Sequence, residues 1–142
     1  MLLEPGERSA DLAEMRSELE RIDAAANSVV IVATSGETLV GYVELSGGVF
    51  RRNARTAELV IGLAATASGQ GVGARLLGQA EAWARRYGLH RIELTVMAHN
   101  GRAIRVYERH GFQVEGRRRQ CLLVGGRYVD ELYMAKLLAN HS

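Results

Sequence analysis

Hydrophobic positions in the first third of the chain predict one helix followed by a β-hairpin. Apolar residues recur at helical spacing after Ser9, a typical N-cap, so we predict a helix over residues 9–25. The β-branched run at 29–34 predicts a strand. The turn-forming tripeptide Ser35-Gly36-Glu37 follows, and residues 38–45 then predict the returning strand of the hairpin.

The middle of the chain alternates strand and helix. Residues 56–65 form an apolar run typical of a central strand, and residues 72–88 carry one apolar face at a 3.6-residue period, with Gly88 placed to end the helix. Residues 90–97 alternate between apolar and more polar positions, which indicates another strand. A strand, a helix and a strand in succession predict a parallel pair.

The last third predicts a short helix and a second hairpin. Asn100 can cap a helix over residues 101–110, and Gly111 stops it. Strands are predicted at 112–124 and 128–137, joined by the tight turn Gly125-Gly126. The whole pattern of about six strands and three helices predicts an α/β fold. We expect a mixed, mostly antiparallel sheet with a central parallel pair and helices on both faces.

Composition narrows the class of protein. The chain has 142 residues, 47% of them hydrophobic, which predicts one domain over residues 1–142. A single cysteine, Cys121, fits a reducing cytoplasm, and no apolar run approaches the ~20 residues of a membrane span. The net charge of +2 is too small to indicate nucleic acid, and the arginines at 117–119 lack interleaved aromatic residues. We therefore expect a cytoplasmic protein without nucleic-acid or membrane partners.

The segment SGQGVGA, residues 68–74, is the first candidate for chemistry. Three alternate glycines, Gly69, Gly71 and Gly73, leave the backbone free to turn sharply and its N–H groups free to approach a ligand. The following helix start offers unpaired N–H donors and partial positive charge. The segment therefore predicts a phosphate or pyrophosphate site.

Two stretches together resemble the GNAT superfamily of N-acetyltransferases. LAATASGQGVGARLL is similar to the family's pyrophosphate-binding strand, loop and helix, and NGRAIRVYERHGF is similar to its asparagine, helix, tyrosine and Gly-Phe segment. No Lys-Ser or Lys-Thr follows the glycines, which excludes a P-loop. A dinucleotide-binding unit would place such a loop after its first strand. The resemblance covers about residues 55–142.

The resemblance implies that acetyl-CoA is the co-substrate. Backbone groups of the loop and helix start would hold its pyrophosphate, Leu63 would offer main-chain hydrogen bonds to the pantetheine arm, and Asn100 would contact the same arm. The implied pyrophosphate-binding residues are Gly69, Gln70, Gly71, Val72, Gly73 and Ala74. The family often has Arg or Gln where Ser68 and Gly69 stand here, so cofactor affinity is expected to depend on the backbone, or on Arg75 or Arg105.

The resemblance also implies a general acid, and the base remains open. Tyr107 lies at the position of the family's acid, where a phenol protonates the departing thiolate. An amine nucleophile must be neutral, so a carboxylate or an ordered water must take its proton. Glu58, on a strand where some relatives carry a catalytic carboxylate, is favoured, with a water relay, Glu93 and His99 as alternatives. Cys121 is expected to pack in the interior, since direct transfer needs no acyl-enzyme.

The N-terminal part of the chain differs from the usual start of a GNAT domain. GNAT domains usually begin with one more strand and helix before the helix predicted from Ser9, so the first strand and helix are expected to be absent or to lie upstream. The hairpin would then have an exposed edge, which suggests a homodimer. The acceptor is expected to be a primary amine on an amino acid, a polyamine or a protein N-terminus. A non-catalytic acyl-CoA-binding regulatory module is the alternative function.

Overall fold

A computed structural model of the chain describes residues 27–65 and 71–138. Six strands and two α-helices lie in these ranges, with a short 3-10 turn at Arg51–Asn53. The strands are β1 (Val29–Ser35), β2 (Thr38–Gly47), β3 (Thr56–Leu63), β4 (Arg91–Met97), β5 (Gln113–Val124) and β6 (Arg127–Leu137). The helices are α1 (Val72–Arg86) and α2 (Gly101–Arg109). The helix predicted over residues 9–25 lies outside the described residues.

The six strands form one mixed sheet in the order β1-β2-β3-β4-β6-β5. Its single parallel pair is β3 with β4, and the other neighbours are antiparallel, as the sequence predicts. The parallel pairing is short: it joins Thr56–Arg91, Ala57–Ile92 and Glu58–Glu93, and ends there. Beyond that pair, β3 stays bonded to β2 and β4 stays bonded to β6. The sheet is therefore split along its centre.

Both described helices pack against the same face of the sheet, here called the helix face. Side chains alternate along each strand, so Leu59, Ile92 and Met134 lie on this face and join one hydrophobic core with α1 and α2. Trp83 of α1 and Tyr107 of α2 belong to that core. The opposite face, here called the far face, carries a smaller apolar cluster. None of the described helices is long and apolar enough to cross a membrane.

The element boundaries follow from local chemistry. The β5–β6 turn has positive φ at Gly125 and Gly126 (57° and 79°), as the type I′ turn of a two-residue hairpin requires. Helix α1 ends at Arg86, two residues before the predicted limit, and Gly88 follows with φ 78°. Tyr87, which falls within the predicted helix, is its C-cap, half-exposed and stacked on Trp83 at 4.4 Å between ring centroids.

Candidate active site

The split between β3 and β4 opens a cleft on the helix face. The cleft has a volume of about 680 Å³ and lies between the ends of β3, α1 and α2. Its residues include six of the eight that the resemblance implies for cofactor binding: Leu63, Gly71, Val72, Gly73, Ala74 and Asn100. Tyr107 lines the same cleft. Gly69 and Gln70 lie outside the described residues. We call this space the helix-face cleft.

The N-terminus of α1 brings backbone N–H donors that have no partner within the helix to this cleft. The first intrahelical bond runs from the Arg75 N–H to the Gly71 carbonyl at 3.1 Å, so the N–H groups of Val72, Gly73 and Ala74 have no partner within the helix. Gly71 is the N-cap, with φ 77°, a conformation that favours glycine. No acidic side chain lies in the first turn. The arrangement suits an anion.

The backbone of Leu63 faces the opening of the sheet. Ala64 donates its N–H to the Val40 carbonyl at 2.9 Å, and Gly41 is the register partner of Leu63. In an antiparallel ladder, hydrogen-bonded and non-hydrogen-bonded pairs alternate, so the Leu63 N–H and carbonyl point away from β2. They point to the side where β4 has separated from β3. Leu63 can therefore hydrogen-bond an extended ligand, as the resemblance implies.

Positive charge in the helix-face cleft comes from α2. Arg102, Arg105 and Arg109 line it, and no acidic residue is among the described residues that do. Spacings of three and four residues bring the three arginines to one side of the helix. Arg75, the other candidate for holding phosphate, does not line this cleft among its described residues. Of these three, the sequence named only Arg105 as a candidate for holding phosphate, and the helical periodicity of α2 brings Arg102 and Arg109 to the same cleft.

Asn100 serves as the N-cap of α2. Its Oδ1 accepts a hydrogen bond from the Ala103 N–H at 3.2 Å, which is the capping role considered for this residue. The side chain is exposed and lines the cleft. Capping uses the oxygen, so the Nδ2 amide is the group left to donate to a ligand.

Tyr107 is a buried phenol at the wall of the cleft. It is 8% exposed, and its ring packs against Phe112 with centroids 5.9 Å apart. Burial raises the pKa of Tyr107 to about 12, because the phenolate would lose its hydration. The phenol is therefore protonated throughout the neutral range and can act as a proton donor.

Glu58 lies on the other side of the sheet from Tyr107. Its neighbours Ala57 and Leu59 join the core on the helix face, so the exposed Glu58 side chain projects to the far face. There it lines a second space of about 300 Å³, here called the far-face cleft, together with Arg91, Glu93, Thr95, Glu115 and Tyr133. Glu58 and Glu93 form the last β3–β4 pair, so both carboxylates border the point where the strands separate.

Part of the far-face cleft was not predicted from the sequence. Arg91 has a recognisable signal, since it precedes Glu93 by two residues and therefore shares its strand face. Glu115 has no such signal in the sequence, because its position at the far-face cleft depends on a bulge in β5. His99, an alternative base, is exposed and lines neither cleft among their described residues. Cys121 is half-buried, with its Sγ 4.0 Å from Glu131 Oε1.

Comparisons with known proteins agree with this geometry. Residues 2–112 match the Acetyltransferase (GNAT) family. The chain belongs to the GNAT family of acetyltransferases. It is 32% identical over 111 residues to the L-amino acid N-acetyltransferase AaaT of Escherichia coli (strain K12), covering 75% of this chain and 67% of that protein.

Solved structures of the same family share the fold. A GNAT acetyltransferase from Streptococcus pneumoniae superposes with a TM-score of 0.82 at 27% identity, over 89% of this chain and 76% of that one. The ribosomal-protein-alanine N-acetyltransferase of Brucella melitensis gives a TM-score of 0.79 at 28% identity, over 97% and 85% of the two chains. Family membership makes this chain an acetyl-CoA-dependent N-acetyltransferase.

Proposed function

We propose that this protein transfers the acetyl group of acetyl-CoA directly to a primary amine. The observation that carries the proposal is the convergence, in one cleft, of the α1 N-terminus, the free backbone edge at Leu63, and Tyr107. The cleft borders the split in the sheet, and the far-face cleft with Glu58 borders the same split from the other side. Donor and acceptor can thus approach from opposite faces.

The residues of the helix-face cleft fit acetyl-CoA. The N–H groups of Val72, Gly73 and Ala74, which have no partner within the helix, suit its pyrophosphate, with Gly69, Gln70 and Gly71 proposed to complete that loop. Arg105 and Arg109 supply positive charge for phosphate groups. The backbone of Leu63 and the amide of Asn100 suit the amides of the pantetheine arm. A Cβ at Gly73 would lie 3.3 Å from Leu63 Cδ1, so glycine keeps the helix start close to the strand.

Two side chains carry the proton transfers in this proposal. Bound acetyl-CoA supplies an activated acetyl group on a thiol leaving group. Tyr107 holds its proton at the hydroxyl and gives it to the departing sulfur. Glu58, at the border of the split, takes a proton from the attacking amine, directly or through a water. No covalent enzyme intermediate is required.

The acceptor is a small-molecule or peptide amine. One relative is named for L-amino acids and a solved relative for the alanine of a ribosomal protein, so the family accepts amines of different size. We propose an amino acid, a polyamine or a protein N-terminus as the acceptor of this chain.

Thiol release across a panel of amines tests the proposal. Each amine is mixed with acetyl-CoA and the protein, and free CoA is measured with a thiol reagent, beside calorimetric titration of acetyl-CoA alone. Binding with amine-dependent thiol release supports the enzyme. Binding without release for every amine would instead support a non-catalytic acyl-CoA-binding module, and absence of binding would contradict both.

We also propose a homodimer in the cytoplasm. Within the described sheet β1 is a terminal strand, with β2 as its neighbour, and such an edge can pair with a second copy. Sedimentation that shows only monomer at high concentration would contradict the dimer. The single cysteine supports a reducing compartment.

A further inference from the structure

Two carboxylates compete for the role of base at the split in the sheet. Glu58 and Glu93 are register partners on β3 and β4, and both lie on the far face. Neighbouring strands are ~4.8 Å apart, so position along the sheet does not separate the two residues. The hydrogen-bond partners of Glu58 and Glu93 distinguish these two carboxylates.

Arg91 holds the Glu93 carboxylate. Its Nε donates to Glu93 Oε2 at 2.9 Å, while Nη1 and Nη2 donate to the two oxygens of Glu115 at 2.9 and 2.5 Å. Bidentate, charge-assisted bonds of this kind fix the guanidinium in the plane of its partner. Arg91 lies two residues nearer the start of β4, whereas the split begins on the other side of Glu93. The ion pair therefore draws the Glu93 carboxylate away from the split.

The ion pair between Arg91 and Glu115 depends on a bulge in β5. The register between β5 and β6 shifts between Val114 and Gly116, so Glu115 is an extra residue in the edge strand. The guanidinium reaches it across β6, where the small residue Ala135 stands opposite Glu93. The hydrogen bond from Arg91 holds the pKa of Glu115 below its usual range, and the Glu115 carboxylate raises the pKa of Arg91. Both partners stay ionised at neutral pH, so the ion pair between Arg91 and Glu115 is present at neutral pH.

Glu58 is in a different state. No ion pair or hydrogen bond of its side chain occurs among residues 27–65 and 71–138, and the side chain is exposed. We propose that Arg91 is a positioning residue that withholds Glu93 from the acceptor amine and leaves Glu58 as the base. In the transfer, the amine nitrogen bonds to the acetyl carbon and loses a proton to Glu58. The carbon–sulfur bond breaks, and Tyr107 gives its proton to the sulfur. This inference rests on the proposed acetyl transfer.

The experiment tests whether removing Arg91 allows Glu93 to act as the base. Glu58→Gln is expected to lower kcat by about 10²-fold, the scale of one acid–base group. Adding Arg91→Met to Glu58→Gln is expected to restore kcat about tenfold, because Glu93 is released to face the split. A third change, Glu93→Gln, must abolish that recovery. Arg117→Met in the Glu58→Gln background is the matched control, since Arg117 forms a comparable pair with Asp130 away from both clefts, at 2.6 Å.

The outcomes separate this inference from the proposed function. Recovery that depends on Glu93 supports it. A double variant that folds, binds acetyl-CoA and is no more active than Glu58→Gln overturns it while acetyl transfer stands. Arg91→Gln in the same background provides a second test if the Met variant does not fold. Wild-type protein that binds acetyl-CoA but releases no thiol contradicts the proposed function itself, and the positioning role with it.

Discussion

Replacing Tyr107 by Phe removes one hydroxyl and keeps the ring. The ring remains against Phe112, where the centroids are 5.9 Å apart, so the core on the helix face should stay packed. If the phenol protonates the departing sulfur, kcat should fall about 10²-fold while the affinity for acetyl-CoA stays within about twofold. Steady-state thiol release and calorimetry measure the two quantities. Wild-type turnover in the Phe variant would refute the role of Tyr107 as the acid.

The same substitution has a pH-dependent effect on stability. Burial raises the pKa of Tyr107 from 10.0 to about 12, so the folded state holds the phenol proton more tightly than the unfolded chain. The contribution of Tyr107 to the free energy of unfolding is fully present below pH 10 and is lost as the pH rises through 12. At about 1.36 kcal/mol per pKa unit, the full loss is about 2.7 kcal/mol, of which about 1.4 kcal/mol has gone by pH 11.

Urea unfolding at pH 8 and pH 11 tests this number. The free energy of unfolding of the wild type should fall by about 1.4 kcal/mol more than that of the Phe variant, because other titrating groups cancel in the comparison. Equal losses in the two proteins would mean that the Tyr107 phenol is not desolvated in solution.

Three further predictions concern the helix-face cleft. Gly71→Ala should lower the free energy of unfolding by about 1 kcal/mol in urea, because φ 77° is strained for alanine, and a wild-type value would contradict that conformation. Asn100→Ala should cost about 1 kcal/mol through the lost cap and weaken acetyl-CoA binding in calorimetry, whereas unchanged binding would limit Asn100 to capping. Arg105→Gln should raise the KM for acetyl-CoA several-fold but not that for S-acetyl-pantetheine, which lacks phosphates, with Arg127→Gln at the start of β6 as the control. Equal rises with both donors would contradict a phosphate contact.

Local patterns predict most of the described fold. The alternation of residues 90–97 and the 3.6-residue period of residues 72–88 each reflect burial of one face, which is a property of the sequence itself. The boundaries at Asn100 and at Gly125-Gly126 were also predictable, because helix capping and tight turns depend on the residues at those positions themselves. The end of β3 was predicted two residues late, since residues 64 and 65 are apolar but lie beyond the end of the strand at Leu63.

The family and the residues proposed for the donor side of the site could be predicted from the sequence alone, because the glycine loop, Asn100 and Tyr107 are local motifs with fixed spacing. How the two carboxylates differ depends on the tertiary structure. Glu58 and Glu93 look equivalent along the chain, yet one is held by Arg91 and the other lies beside the split without a described partner. That difference depends on Glu115, a bulged residue of an edge strand 24 positions from Arg91. Contacts between strands distant in sequence are set by sheet order and register, and neither can be read from the spacing of residues.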